Sequence, residues 1–272
     1  MKVSLLMNAI NVSGNAILIY GFHCGTEGVA IPTLVSRFVA AFIIIKLLLK
    51  DKWTLHLKRT FRFNPDWSMI RKILSVGIPN GLENSMFQLG KVLVLSLVST
   101  FGTYAIAANA VSNVITLFSI LPGQAICLAV TTVIARCVGA GDYEQAKYYN
   151  KKLILLTHIG MTITIFIVFI TLPFILKVYN LSEAASEATR HIIWFHGCCA
   201  ILIWAESFTL PATFRAFGDA KACLIISSVS MWIFRVGASY ILGKNLGLGV
   251  FGVWVAMIID WAFRSLLFGI RY

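Results

Sequence analysis

Two charged residues, Glu83 and Lys91, lie within a long and mostly apolar stretch of the sequence, residues 77–109. An ionisable group at the centre of a membrane span costs at least about 2.5–3.5 kcal/mol to insert, so such groups are seldom there without a function. At helical spacing the two share one face with further polar and aromatic residues, namely Asn80, Asn84, Phe87 and Gln88. A polar stripe over only half of a span indicates a water-filled cavity rather than contact with lipid.

Other ionisable residues also lie in apolar segments. Arg235 has no obvious partner nearby in sequence, and Glu206 lies near the inner end of its span, where an interfacial position is the alternative. Both are candidates, together with Lys91, for lining a substrate or ion pathway. Asp260 and Arg264 are four residues apart, the spacing at which two charges on one helix form a structural pair. Pro79, close to Glu83, removes a backbone hydrogen bond and favours a functional bend in the helix.

The remaining motifs exclude several kinds of site. The sequence has no nucleophile elbow, no HExxH and no carboxylate pair at catalytic spacing, so no enzyme activity is predicted. Its six cysteines show no CxxC or Cys/His spacing, so no metal site and no disulfide framework are expected. No organic cofactor is implied.

Composition identifies the class of protein. Of 272 residues, 58% are hydrophobic and 12% are charged, against about 25% charged in soluble domains. The chain is therefore expected to be an all-α membrane protein. Its net charge of +12 is concentrated in certain loops, so it reflects membrane topology rather than binding to nucleic acid.

The hydrophobic pattern predicts about eight transmembrane helices, at residues 3–21, 28–49, 73–99, 106–135, 153–176, 190–212, 221–242 and 249–270. Basic residues alternate between the connections, and the positive-inside rule then places both termini in the cytoplasm of a multi-pass plasma-membrane protein. Residues 50–72 mix aromatic and basic side chains, which fits either a cytoplasmic amphipathic linker or a plain positively charged loop. Gly28 and Gly249 each open a span after a short turn, which suggests an internal repeat.

Several motifs, in order along the chain, resemble the multidrug and toxic compound extrusion (MATE) transporters. The segments 77–83 and 101–109 are similar to the family's seventh span and the turn that follows it. The glycine-rich turn 138–142 and the segment 214–219 resemble the turns after its eighth and tenth spans, with Phe214 in place of the usual Leu. This resemblance covers essentially the whole chain.

The resemblance implies a domain organisation. Residues 1–49 would be the last two helices of an amino-terminal lobe, 50–72 a linker and 73–272 a complete six-helix carboxy-terminal lobe. The chain would then correspond to spans five to twelve, and a four-helix segment would be a missing partner.

The resemblance also implies export of organic, often cationic, compounds in exchange for Na⁺ or H⁺, with Glu83 as the ion-coupling carboxylate. Pro79, Asn80, Asn84 and Gln88 would line the cavity. Three alternatives stay open: a structural ion pair between Glu83 and Lys91, a lipid-linked saccharide flippase of the same superfamily, and an inactive transporter fragment.

Overall fold

The computed structural model describes residues 2–49 and 65–272, and its regular structure is helical. The helices are α1 (Lys2–Ala16, continued by a π-helical turn, Ile17–Gly21), α2 (Glu27–Leu48), α3 (Trp67–Ser99), α4 (Thr103–Gly139), α5 (Tyr143–Tyr179), α6 (Glu183–Ala216), α7 (Ala220–Ser230, continued by π-helical segments at Met231–Gly237 and Tyr240–Asn245) and α8 (Gly249–Arg271). Each of the eight predicted spans falls on one of these helices. The prediction of an all-α protein is confirmed.

Seven of these helices are long and apolar enough to cross a membrane. The eighth, α3, carries Glu83, Lys91 and several amides, and these polar groups lower its hydropathy. This helix begins at Trp67, six residues before the predicted span, because the Asp66 carboxylate accepts hydrogen bonds from the Ser68 and Met69 amides and caps the helix. It continues through Pro79 without ending there.

The chain divides into two compact units, Met1–Pro65 and Asp66–Tyr272. In the first unit, α1 packs on α2, and the Asn11 amide donates to the Thr33 hydroxyl at 3.0 Å. A Cβ atom on Gly14 would lie 2.7 Å from a Pro32 side-chain carbon, so only glycine allows this approach. Most of the predicted linker, residues 50–64, lies outside the described residues.

The second unit contains α3 to α8. Within it α4 packs on α5 and α6, α6 packs on α8, and α3 packs on α7. The largest group of buried apolar side chains comes from α3, α4, α5, α6 and α8, and it includes Trp204, Trp254 and Trp261. This core holds in place the helices that carry the charged residues.

Two Gly-Asp turns connect successive helices of this unit. Gly141 and Gly218 have φ angles of 77° and 86°, which glycine adopts without strain. Asp142 then caps α5 by accepting from the Gln145 amide at 2.9 Å. The equivalent Asp219 instead accepts from the Arg271 guanidinium at 2.6 and 2.9 Å, which ties the end of α8 to the turn before α7.

Candidate functional site

A cavity of about 540 Å³ lies among five of the six helices of the second unit. A volume of this size is within the usual range for small-molecule sites. Its lining residues are Phe87 and Lys91 from α3; Asn113, Thr116, Leu117, Ile120, Gln124 and Cys127 from α4; His196, Trp204, Phe208 and Arg215 from α6; Arg235 from α7; and Trp254, Met257 and Trp261 from α8.

Aromatic rings form much of the cavity wall. Trp204 stacks on Phe208 with ring centroids 4.8 Å apart, and Trp261 meets Phe208 edge-on at 5.5 Å. Gly123 of α4 permits this arrangement, because a Cβ atom there would collide with the Trp204 ring. The rings offer stacking surfaces to the body of an aromatic or amphipathic ligand.

The charged residues that line this cavity are all basic: Lys91, Arg215 and Arg235. Lys91 and Arg235 also border an adjoining cavity of about 210 Å³, so they lie where the two spaces meet. Arg235 is carried by the π-helical segment Met231–Gly237. Such segments are rare and often occur at functional sites, and the residue pattern alone does not indicate this one.

Glu83 is buried and pairs with Arg215 rather than with Lys91. Its Oε2 atom accepts from Arg215 Nη1 at 3.1 Å, across the contact between α3 and the last turn of α6. The alternative of a Glu83–Lys91 pair is therefore wrong for this structure. Lys91 instead approaches the face of the Phe87 ring, with Nζ 5.6 Å from the centroid.

The predicted pair of Asp260 and Arg264 does not form, since none of their N–O distances is within 4.0 Å. Both side chains are buried. Asp260 accepts a hydrogen bond from the Ser230 hydroxyl, whereas the Arg264 guanidinium lies 4.7 Å from the centroid of the Phe208 ring. The two side chains thus contact different neighbouring helices, Asp260 contacting α7 and Arg264 contacting α6.

Glu206 does not line the cavity but pairs with His158 of α5, Oε1 to Nε2, at 2.9 Å. The other ring nitrogen of His158, Nδ1, is 2.8 Å from the Ile201 carbonyl oxygen. A carbonyl only accepts, so Nδ1 carries a proton, and a neutral ring would then point a lone pair at the carboxylate. The contact is favourable only if one further proton lies between Nε2 and Oε1.

The polar stripe predicted on α3 divides in two. Glu83, Phe87 and Lys91 are spaced four residues apart; Glu83 contacts Arg215, and the other two line the cavity. The amide residues of the stripe do not line the cavity, and nor does Pro79. Residues adjacent in sequence are rotated by about 100° on a helix. Asn84 and Gln88 each follow a residue of this row and are exposed beside it. The Asn84 amide donates to the Asn80 carbonyl oxygen at 2.9 Å.

Sequence reasoning missed the contributions of α4 and Arg215. The amides Asn113 and Gln124 line the cavity, and Asn109 of the smaller cavity accepts from the Trp254 indole at 3.2 Å. The sequence does contain a sign of these amides, because an amide inside a long apolar span of α4 is as unfavourable to bury as the amides of α3. Arg215 belongs to the segment 214–219, which the sequence identifies as a turn, and helical spacing does not connect it with Glu83.

Comparison with known proteins gives consistent matches. The MatE family model matches residues 79–241. The chain is 26% identical over 272 residues to a Thermotoga maritima protein named probable multidrug resistance protein NorM, across 98% of this chain and 58% of the relative. It is 27% identical over 281 residues to the uncharacterized transporter YisQ of Bacillus subtilis, across 98% of this chain and 59% of the relative.

Solved structures support the same fold. One described as the outward-facing conformation of a multidrug resistance MATE family transporter of the MOP superfamily superposes with a TM-score of 0.89 at 20% identity, over 99% of this chain and 60% of that one. A MATE crystal structure in the bent conformation gives a TM-score of 0.86 at 20% identity, over 99% of this chain and 59% of that one. The chain thus spans about three fifths of the length of the proteins it matches.

Proposed function

Because the MatE model matches more than half of its residues, the chain belongs to the MATE family of transporters, and on that premise we propose that it takes part in secondary active export of organic compounds across the cytoplasmic membrane. Members of this family are transporters and not enzymes. The proposed coupling ion is Na⁺ or H⁺, and the proposed partners are a small-molecule substrate, the lipid bilayer and a four-helix segment that would complete the amino-terminal lobe.

The observation that best supports coupling is the burial of Glu83 against Arg215. A carboxylate that binds an incoming cation or proton must release its existing partner, and Arg215 is that partner, at 3.1 Å. When H⁺ or Na⁺ neutralises Glu83, the attraction between α3 and the end of α6 weakens. Because Glu83 and Pro79 lie on the same helix, ion binding would favour a different arrangement of these helices.

The distribution of basic residues supports an orientation for this transporter. Arg136, Lys147 and Lys151 lie around the turn between α4 and α5, and Arg215 and Lys221 flank the turn between α6 and α7. We place both turns in the cytoplasm by the positive-inside rule. By the same rule, the proposed orientation has both termini in the cytoplasm.

Expression of the chain in a drug-sensitive bacterial strain tests this function. The cells are challenged with toxic organic compounds of both charge signs, with and without Na⁺, and the inserted protein is quantified in membranes. We expect tolerance to at least one compound from the wild type and none from Glu83→Gln. The substitution keeps the size of the side chain and one acceptor oxygen, and it removes the charge.

Ser85→Ala is a matched control on the same helix, because Ser85 is exposed and, among the described residues, its hydroxyl bonds only to the Gly81 carbonyl oxygen of that helix, at 3.0 Å. It should retain tolerance. Wild-type tolerance from Glu83→Gln would exclude the coupling role. Absence of tolerance from well-inserted wild-type protein would exclude transport by this chain alone.

A further inference from the structure

The cavity in the second unit has an excess of positive charge. Lys91, Arg215 and Arg235 line it, and Arg264 contacts its wall at 4.7 Å from the Phe208 centroid. Two buried carboxylates, Glu83 and Asp260, lie near these four basic side chains, and neither lines the cavity. Four basic and two acidic side chains therefore leave an excess of two positive charges around the cavity.

The two unbalanced cations nearest the cavity are Lys91 and Arg235. Among residues 2–49 and 65–272, neither has a carboxylate within 4.0 Å. Glu83, the acidic residue of the same helix as Lys91, is engaged by Arg215. Two like charges held beside one space repel each other unless an anion lies between them.

Most of the buried hydrogen-bonding atoms near the cavity that lack a partner among the described residues are donors, and Oδ2 of Asp260 is the acceptor among them. The Nε atom of Arg235, Nε and Nη1 of Arg264 and the indole nitrogen of Trp261 are buried, and none has an acceptor among the described residues. All are obligate donors. A buried donor without an acceptor is unfavourable, and a ligand that brings several acceptor oxygens would satisfy such groups.

We propose that this cavity binds organic anions with an aromatic body, such as aromatic carboxylates, sulfonates or phosphate esters, and not the cationic compounds that the family resemblance implies. The anionic group would lie between Lys91 and Arg235, where the two cavities meet. The ring system would stack among Trp204, Phe208 and Trp261. This assignment rests on the proposed transport function, since it names the substrate class of the same site.

Two probes that differ in the sign of their charge test this assignment: 2-naphthalenesulfonate and 2-naphthyltrimethylammonium. Binding is measured by isothermal titration calorimetry on the purified chain in nanodiscs of zwitterionic lipid. We expect the sulfonate to bind at least tenfold more tightly than the ammonium compound. Lys91→Gln and Arg235→Gln should each weaken sulfonate binding by about tenfold, the usual effect of losing one charged hydrogen-bond partner.

Lys72→Gln is the matched control, because Lys72 is an exposed lysine of the same helix that does not line the cavity. It should leave binding unchanged. Lys91→Arg and Arg235→Lys keep the charge and should retain most of the sulfonate affinity, which separates loss of charge from loss of folding.

Three results would overturn this assignment. Equal or tighter binding of the ammonium compound would reject an anionic substrate. Unchanged sulfonate affinity in both glutamine variants would place the anion elsewhere. No binding of either probe would reject the cavity as their site. None of them bears on the Glu83→Gln experiment, which measures tolerance and not the sign of the bound charge. The two hypotheses can therefore fail separately.

Discussion

Charged side chains in the six-helix unit occur in two kinds of surroundings. Where α6 meets α3 and α5, each carboxylate faces one base: Glu83 faces Arg215 at 3.1 Å, and Glu206 faces His158 at 2.9 Å. Around the cavity, by contrast, Lys91 and Arg235 lie among aromatic rings and amides. Helix α3 thus supplies both a balanced charge, Glu83, and an unbalanced one, Lys91.

This difference separates two roles for intramembrane charges. A balanced pair holds two helices together, and removing one partner leaves the other buried and uncompensated. An unbalanced cation that borders a cavity contributes little to holding the helices and leaves its charge available to a ligand. Substitutions in the first region should therefore reduce stability, and those in the second should reduce binding.

The largest effect is expected from Arg215→Gln, which leaves the buried carboxylate of Glu83 without its partner. We expect a loss of about 3 kcal/mol in the free energy of unfolding, at the low end of values for buried pairs because Arg215 is partly exposed. Titration with sodium dodecyl sulfate, followed by circular dichroism, measures it.

The double variant Glu83→Gln/Arg215→Gln should recover part of the lost stability, because no buried charge then remains unpaired. Equal losses in the single and double variants would show that Arg215 stabilises the protein through some contact other than Glu83. The balanced region would then not differ from the cavity in its effect on stability.

Much of this arrangement was predictable from sequence. The eight spans were clear because apolar stretches longer than about 17 residues are rare outside membrane-spanning helices. The face of α3 that carries Glu83 and Lys91 followed from helical periodicity. Asp142 caps α5, in keeping with the general preference for Asp at the start of a helix.

The charge partners were not predictable in the same way. Glu83 pairs with a residue 132 positions away, and helical spacing carries no information about such distant contacts. Asp260 and Arg264 have the spacing of an ion pair, yet the Ser230 hydroxyl and the Phe208 ring from other helices engage them. The local sequence pattern thus predicts which residues share a helix face, whereas contacts between helices determine which charged side chains form pairs.

An intermediate effect is expected at the second balanced pair, from Glu206→Leu. This change leaves His158 Nε2 without a partner and should reduce the free energy of unfolding by about 1–2 kcal/mol, since the two side chains are partly exposed. The same detergent titration measures it.

Glu206→Gln is the matched control for this pair. Its amide group can donate to Nε2 while Nδ1 still donates to the Ile201 carbonyl, so we expect a smaller loss than with leucine. If both variants lost the same stability, the hydrogen bond between His158 and Glu206 would not be what holds α5 and α6 together here.

The smallest effect is expected from Lys91→Gln, although it removes a full charge from the middle of a predicted span. Lys91 is exposed, and within the described part of the chain its charged group makes only a distant contact with the Phe87 ring, 5.6 Å from its centroid. It also repels Arg235 across the cavity. The free energy of unfolding should therefore stay within about 0.5 kcal/mol of the wild type, as for other exposed positions, or rise slightly.

A loss comparable to that of Arg215→Gln would mean that Lys91 has a stabilising partner and that the cavity does not hold an unbalanced charge. Stability near the wild type together with weakened sulfonate binding would instead assign this lysine to the ligand.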